Sequence, residues 1–458
     1  MRLFSRKLEK LASSIPTDLQ ELQEWRRRLA TLAGALLIGL VAIVFAWAGD
    51  FAQNQFNKIQ SAEPYSPLIL TPILFVIIAA VTSSVAPEAR GSGIPQAIAA
   101  SRDPEGLTAK GLLSLRAGIA KLFLTVGAMF GGASVGREGP TVQVGAAIMV
   151  QIHRLFGVRV TPGVIIAGGA AGVAAAFNTP LAGIAFAIEE LAVAYEQRVA
   201  IIVMGAVMIA GLTSQGISGD YVYFGHLSTS GLPLTVILVV APLAGFLGGL
   251  AGGLFSRLFL ACNGSQGKWR AVLKKRPLVT ALVCGLIVAI VGVVSHGATW
   301  GTGYEPTRAL LEGSDGDFWF GPAKFISTIA TSASGVPGGI FAPALAVGAG
   351  LGNLLTPFFP AEHAGTVILL GMAGYFVGVV RAPLTAVIIL SETTGTTDVI
   401  LPLFVTCLIG DWAGGLICKQ RLYHALAADF MTGGEKVAAS GKRLKQPENA
   451  APVDTEKD

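Results

Sequence analysis

A carboxylate set among glycines and prolines inside an apolar stretch is placed for chemistry rather than for solubility. Glu138 is such a residue, in the run Gly136-Arg137-Glu138-Gly139-Pro140. Two further segments share its design, with Gly/Pro-rich backbone just ahead of an apolar helix: Gly91-Ser92-Gly93-Ile94-Pro95 and Gly338-Gly339-Ile340-Phe341-Ala342-Pro343. Pro is tolerated in a first helical turn, and Gly permits the tight turn before it. A helix N-terminus leaves backbone N–H groups unpaired and carries about half a positive charge, which makes it a natural anion site. Inside a bilayer such donors are costly unless they line a cavity or meet a ligand. Several termini converging would bind an anion without a full countercharge, weakly enough for it to move on. Glycines kept for helix packing would explain any one segment, but explain all three together poorly.

At such a terminus Glu138 can compete with the anion as a tethered carboxylate, and protonation would release the site. The plainer alternative is a salt bridge to the adjacent Arg137. Glu189-Glu190 follow the apolar run Leu181–Ile188, and adjacent residues on a helix point about 100° apart, so one can pair locally while the other faces a proton path. Tyr423 in Arg421-Leu422-Tyr423-His424 can donate a hydrogen bond to an anion, although an interfacial position is the default for Tyr. Gly132-Ala133-Ser134-Val135-Gly136 fits the G-x-S-x-G nucleophile elbow, which needs a strand–turn–helix setting and a His/Asp pair. Here it lies between apolar helical runs. None of His153, His226, His296, His363 and His424 falls in a recognisable partner motif, so an enzyme is not expected.

The elements that must position these residues are membrane helices. Of 458 residues 52% are hydrophobic and 13% charged, against about 25% charged in soluble domains. Leu29–Gly49, Pro67–Val85, Val236–Leu254 and Leu278–Val294 each have the length and apolarity of a span, and many Gly- or Pro-interrupted apolar stretches follow. The first 28 residues are polar and lack the features of a signal peptide. They read as a cytoplasmic lead-in, because Arg26-Arg27-Arg28 abuts the first span and excess Lys/Arg marks the cytoplasmic side. The five basic residues of Lys268–Arg276 and the basic tail 432–458 take the same side, so the net charge of +5 reflects topology and makes no case for nucleic acid. Cys262, Cys284, Cys407 and Cys418 are scattered, with no metal-binding spacing. Glycines at 245, 249 and 253 have the spacing of close helix packing.

An internal repeat runs at an offset of 203 residues: Lys121 to Lys324, Gly136 to Gly339, Pro140 to Pro343, Gly168 to Gly371, Pro180-Leu181 to Pro383-Leu384 and Glu189 to Glu392. The halves run about 29–214 and 232–419, joined by the polar loop Gln215–Gly231. Repeats in membrane carriers are often inverted, with the substrate site at their interface. Glu189, Lys121 and Lys324 are repeated and read as structural. Glu190 aligns with Thr393 and is the better functional candidate.

In combination the three glycine-rich segments resemble the signatures of the CLC family of chloride channels and chloride/proton exchangers, over about Leu29–Met431. The resemblance implies an all-α polytopic membrane domain (29–431) of two inverted repeats of tilted and broken helices, and a homodimer with one pathway per subunit. By family position Ser92, Tyr423 and the backbone amides of Ile340 and Phe341 would contact chloride. Glu138 would be the gating glutamate and Glu190 the internal proton glutamate of exchangers. Gly91, Gly93, Ile94, Pro95, Gly136, Arg137, Gly139, Pro140, Gly339, Ala342 and Pro343 complete the selectivity motifs. No cofactor is implied beyond the transported chloride and protons, and no metal. The family's cytoplasmic CBS pair has no counterpart in the short polar tail, as in a bacterial inner-membrane protein with both termini cytoplasmic. One departure stands out: Gln96-Ala97-Ile98-Ala99-Ala100 lacks an acidic residue often found after the first signature. The expected function is coupled H+/Cl− antiport, with a passive voltage-gated chloride channel as the alternative.

Overall fold

The computed structural model describes residues 19–192, 197–219, 221–225, 227, 233–265, 267–314 and 316–431. The expected lead-in up to residue 18, the tail 432–458, His226 and parts of the loop between the halves lie outside the described residues. Among these the chain is helical, without a strand. The first half runs α1 (Leu19–Ala62), α2 (Pro67–Val85), α3 (Ile94–Arg102), α4 (Leu107–Leu112), α5 (Leu115–Phe130), α6 (Glu138–Leu155), α7 (Pro162–Phe177), α8 (Pro180–Phe186) and α9 (Gln197–Ser218). The second runs α10 (Leu234–Asn263), α11 (Arg270–Lys275), α12 (Pro277–Val294), α13 (Tyr304–Leu311), α14 (Phe320–Ala333), α15 (Phe341–Asn353), α16 (Ala364–Val380), α17 (Pro383–Thr394) and α18 (Ile400–Ile417), with α19 over 422–431.

Eight of the described helices are long and apolar enough to cross a membrane. Along α1, Leu36, Leu40, Val44, Trp47 and Phe51 form an exposed stripe at helical spacing, while Ala35, Ile38, Ala42 and Phe45 are buried behind it. Such a stripe, repeated on α2, α12 and α18, is a surface for hydrocarbon rather than water. Other helices are too short to cross. α17 has 12 residues, about 18 Å at 1.5 Å per residue, against a hydrocarbon core of about 30 Å, so it begins or ends inside the protein at membrane depth.

The offset of 203 residues is visible in the backbone. α6 and α15 begin at Glu138 and Phe341, α7 and α16 end at Phe177 and Val380, and each is followed by a residue in the left-handed region, Asn178 (φ 59°) and Arg381 (φ 64°). Contacts between the halves are reciprocal, as a two-fold relation requires. Gly136 N–H donates to Gly339 O at 2.8 Å, and Gly339 N–H donates to Gly136 O at 2.9 Å. Glu189 accepts from the N–H groups of Leu384 (3.2 Å) and Thr385 (2.7 Å); Glu392 accepts from those of Leu181 (3.1 Å) and Ala182 (2.7 Å). Each carboxylate thus caps the N-terminus of the other half's helix, α17 or α8. The two halves are inverted-topology repeats about a pseudo-two-fold axis between Gly136 and Gly339.

Each cap satisfies two orphan donors beside a helix dipole, worth about 1–2 kcal/mol. Glu392→Ala is expected to lower the midpoint of thermal unfolding in detergent, and Glu189→Ala to lower it by a similar amount. An unchanged midpoint in both would refute the structural role of the pair.

The glycines of α10 serve contacts within the chain. A side chain at Gly249 would meet Gly410 O at 2.5 Å, and one at Gly253 would meet Gly414 O at 2.7 Å. They let α10 lie against α18, and Gly248 and Gly252 do the same against α16. The four cysteines are buried and unpaired.

Candidate anion pathway and its two carboxylates

Three helix starts meet at the pseudo-two-fold axis. The Gly136–Gly339 pair joins the starts of α6 and α15, and Gly338 N–H donates to Gly91 O at 3.2 Å, which brings in the loop before α3. Pro343 Cδ lies against Gly136 and Pro140 Cδ against Gly339, again reciprocally. A Cβ on Gly139 would sit 2.9 Å from Ser92 O. Only glycine fits at Gly93, where φ is +112° and a Cβ would collide with Gly139 O. Ile94 and Pro95 form the buried first turn of α3.

Two groups hold the Gly91–Pro95 loop in place. Lys121 Nζ donates to Gly91 O at 2.6 Å and to Ala89 O at 2.7 Å, and its repeat partner Lys324 donates to Gly301 O and Thr299 O at 2.7 and 2.9 Å. The paired lysines are tethers for loop carbonyls. Gln96, fully buried, accepts from Gly93 N–H at 3.1 Å through Oε1 and donates to Arg90 O at 2.5 Å through Nε2. An amide does both, whereas a carboxylate would have no donor for Arg90 O. The departure noted at this position therefore has a local structural use.

The candidate anion contacts are distributed around this junction. Ser92 Oγ, buried, accepts from Ile94 N–H at 3.3 Å. The N–H groups of Ile340 and Phe341, at the cap and first residue of α15, have no acceptor among the described residues. The Phe341 ring packs 4.6 Å from Phe376 and 5.7 Å from Phe177 between ring centres. Tyr423 is fully buried, with a hydroxyl that has no hydrogen-bond partner among the described residues. An interfacial position, the default from sequence, does not hold: α19 turns inward, and the Tyr423 hydroxyl lies within electrostatic range of both Glu138 and Glu190.

Glu138, 1% exposed, opens α6. Its carboxylate folds back over the Gly136 α-carbon, where a Cβ would strike Oε2. The backbone amides of Glu138 and Ala342 face it, but neither closes a well-formed hydrogen bond. The alternative reading, a salt bridge to Arg137, is not what forms. Arg137 Nη1 instead reaches Asp50 Oδ1 at 3.0 Å and Ala46 O at 3.2 Å. Asp50 was missed in the sequence; its one signal is that it is the first carboxylate beyond the opening apolar span. The Arg137–Asp50 pair lines a cleft of about 780 Å³ together with Tyr221, Tyr223 and Tyr304. This cleft opens at the Asp50 end of α1, opposite Arg26-Arg27-Arg28. The segment 221–225 is more than the polar linker expected: Tyr223 and Phe224 are buried, and Phe224 N–H donates to Thr393 O at 2.7 Å.

Glu190 lies in a single π-helical turn, Ala187–Leu191, that continues α8. Such turns add a residue to a helix and re-aim its side chains. Here Glu189 goes outward to cap α17, while Glu190 turns inward and is 1% exposed. An interfacial site for Glu190 is therefore excluded. The partner that approaches it, at 3.4 Å, is His424 Nδ1, which no motif in the sequence marked. Ser134 of the misleading elbow is buried, with Oγ 2.9 Å from Thr328 Oγ1, and no histidine or acid hydrogen-bonds to it among the described residues. Among the described residues no His/Cys/Asp/Glu group could hold a metal.

Residues 74–415 match the sequence model of the family described as voltage gated chloride channel. The H(+)/Cl(−) exchange transporter ClcA of Yersinia pseudotuberculosis serotype IB (strain PB1/+) is 32% identical over 444 residues, covering 90% of this chain and 89% of that protein. The transporter of the same name from Yersinia pestis bv. Antiqua (strain Angola) is 32% identical over 445 residues, with coverage of 90% and 89%. In fold the chain is similar to a slow cyanobacterial Cl−/H+ antiporter, with a TM-score of 0.76, 24% identity and coverage of 89% and 98%. It is also similar to a CLC-type fluoride/proton antiporter, with a TM-score of 0.73, 22% identity and coverage of 90% and 99%. With the family model spanning most of the chain and relatives matching at nearly full length, the protein belongs to the voltage gated chloride channel family.

Proposed function

We propose that this protein exchanges chloride for protons across a membrane. Chloride runs between the starts of α3, α6 and α15, contacted by Ser92, Tyr423 and the amides of Ile340 and Phe341. Glu138 competes with the anion and accepts the proton, and Glu190 supplies protons from the other side. The observation that carries this reading is the pair of buried carboxylates with the Tyr423 hydroxyl in range of both. A passive chloride pore needs one gating group; a second carboxylate buried away from the anion site is explained by proton delivery. The names of the relatives, exchange transporters of H+ and Cl−, support the same reading.

We assign the chain ends to the cytoplasmic side of a bacterial plasma membrane, the side that the basic clusters at Arg26-Arg27-Arg28 and Lys268–Arg276 favour. The cleft at Asp50 then faces outward, and Arg421 and His424 face inward. A homodimer with one pathway per subunit follows from the family resemblance. No enzyme activity, cofactor or nucleic-acid partner is part of the proposal.

Proteoliposomes carrying an outward chloride gradient decide the matter. The unaltered protein is expected to drive protons uphill. Glu190→Gln is expected to lose this movement while retaining chloride flux. A reversal potential pinned at the chloride equilibrium value, with no uphill protons, would replace exchange by passive conduction.

A further inference from the structure

Glu190 as placed cannot exchange protons with water by itself. It is 1% exposed, and neither carboxylate oxygen closes a hydrogen bond among the described residues. Something must connect it to the aqueous phase if it delivers protons. Among the described residues the ion-pairing group within reach is His424, whose Nδ1 stands 3.4 Å from Glu190 Oε1. The two ends of this ring face different surroundings. Nδ1 is buried against Glu190, yet the side chain is 31% exposed, so its open surface lies away from Nδ1. Ahead of the buried Leu422 and Tyr423, residues Lys419, Gln420 and Arg421 are all exposed. A run of that polarity marks an aqueous face rather than hydrocarbon.

This face is the one from which α1 starts. α1 and α2 cross and return, which brings Arg90 back to the side of Arg26-Arg27-Arg28. Arg90 and Lys274 line one cavity, and Arg270, on the same short helix as Lys274, pairs with Asp429 of α19 at 3.3 Å. His424 therefore opens on the side opposite the cleft at Asp50. That is the side from which an internal proton glutamate would have to be supplied.

We infer that His424 is the proton relay between water on the basic side of the membrane and Glu190, an assignment that rests on the exchange reading above. Imidazole is the side chain suited to this, because its ordinary pKa of about 6.5 lets it take and give a proton near neutral pH. In one step Nε2 accepts a proton from a hydronium ion at the open face, leaving a water molecule, and the Nδ1 proton passes to Glu190 Oε1. The products are a neutral carboxylic acid and a neutral ring with its hydrogen on Nε2, so no net charge remains on the ring. The ring resets by exchange with water: turned outward, Nδ1 takes a proton from a hydronium ion, Nε2 returns its proton to water, and the ring turns back with its hydrogen on Nδ1. The charged and titratable groups around the pair are Arg421 and Tyr423 beside His424, and Glu189 one residue before Glu190. Glu189 is committed to the cap of α17, and Tyr423 continues toward Glu138, so the relay has one way in and one way on.

The test uses the full-length protein in liposomes of a neutral and anionic phospholipid mixture, with proton and chloride fluxes recorded together under a chloride gradient. Positioned proton transfer is worth about 10²–10⁴-fold. His424→Gln is therefore expected to lower proton turnover at least about tenfold and to flatten its dependence on pH. His424→Ala is expected to regain proton turnover when free imidazole is added on the side of His424. Chloride flux measured in the same vesicles reports that each variant is folded. Equal proton turnover and an equal pH profile in His424→Gln overturn the relay. So does loss of coupling that imidazole does not restore, which marks a packing role. A protein that moves no protons even when unaltered defeats the exchange reading itself, and the relay with it; coupling that survives every His424 substitution defeats the relay alone.

Discussion

Glu138→Gln is expected to move chloride at a rate that no longer varies with pH, and to move no protons against their gradient. Gln has nearly the shape of a protonated Glu, so it keeps the packing over Gly136 and beside Ala342. It cannot bind or release a proton, and it carries no charge with which to displace an anion from the start of α6. Removing a positioned proton carrier costs about 10²–10⁴-fold in a transfer step, and here no second carboxylate lies at the junction to take over. The sign follows directly. Under the proposed role, lowering the pH neutralises Glu138 and frees the anion site, so chloride flux in the unaltered protein is expected to rise as pH falls. In the variant the site is free at every pH. Paired flux measurements across a pH series check this, and uphill proton movement by Glu138→Gln would refute the role given to the carboxylate.

Gly93→Ala is expected to damage stability and transport together. Two independent effects meet there. The backbone is held at φ +112°, where a side chain costs about 1–3 kcal/mol, and the new Cβ would press on Gly139 O, the carbonyl just after Glu138. Overpacking of a close contact adds about 1–3 kcal/mol. The loops before α3 and α6 would be forced apart at the point where the anion is held, so chloride flux should fall together with thermal stability. Gly91→Ala is the control: its φ of +77° is also strained, but no heavy atom lies within 4 Å of the added Cβ. Unfolding midpoints in detergent should therefore drop clearly more for Gly93→Ala. Equal drops would show that backbone strain alone governs this loop.

Some of this arrangement was readable before any coordinates, and the repeat explains why. Residues that recur at the same offset do the same structural work in both halves, as Lys121 and Lys324 do for loop carbonyls and Glu189 and Glu392 do for helix caps. Reading repeated residues as scaffold and unrepeated ones as candidates for chemistry therefore had a physical basis. Pairings between distant, unrelated segments were not readable. Asp50 and Arg137 are 87 positions apart, and His424 and Glu190 are 234 apart. Neither pair shares a periodic pattern that could announce it. The burial of Tyr423 was obscured by its neighbours, since Lys-Gln-Arg ahead of it suggested a surface position. The inward turn of Glu190 depends on a π turn, which is set by tertiary packing and leaves no mark in composition. The buried aromatics at 223 and 224 were hidden in a loop rich in Gly, Ser and other polar residues.

The doubled hydrogen bond between Gly136 and Gly339 has a mechanical consequence. It ties the two halves together at their narrowest approach, beside the place where the ion would be held. Rocking one half against the other, as many two-fold carriers do to expose a central site, would stretch both bonds at once and leave four polar groups unpaired in a dry interior. The frame is thus a fixed aperture, and under the proposed function the parts that open and shut it are individual side chains, Glu138 and Tyr423. Turnover in such a device is timed by the loading and unloading of single protons and by rotamer changes, and its two faces can be opened independently by local chemistry.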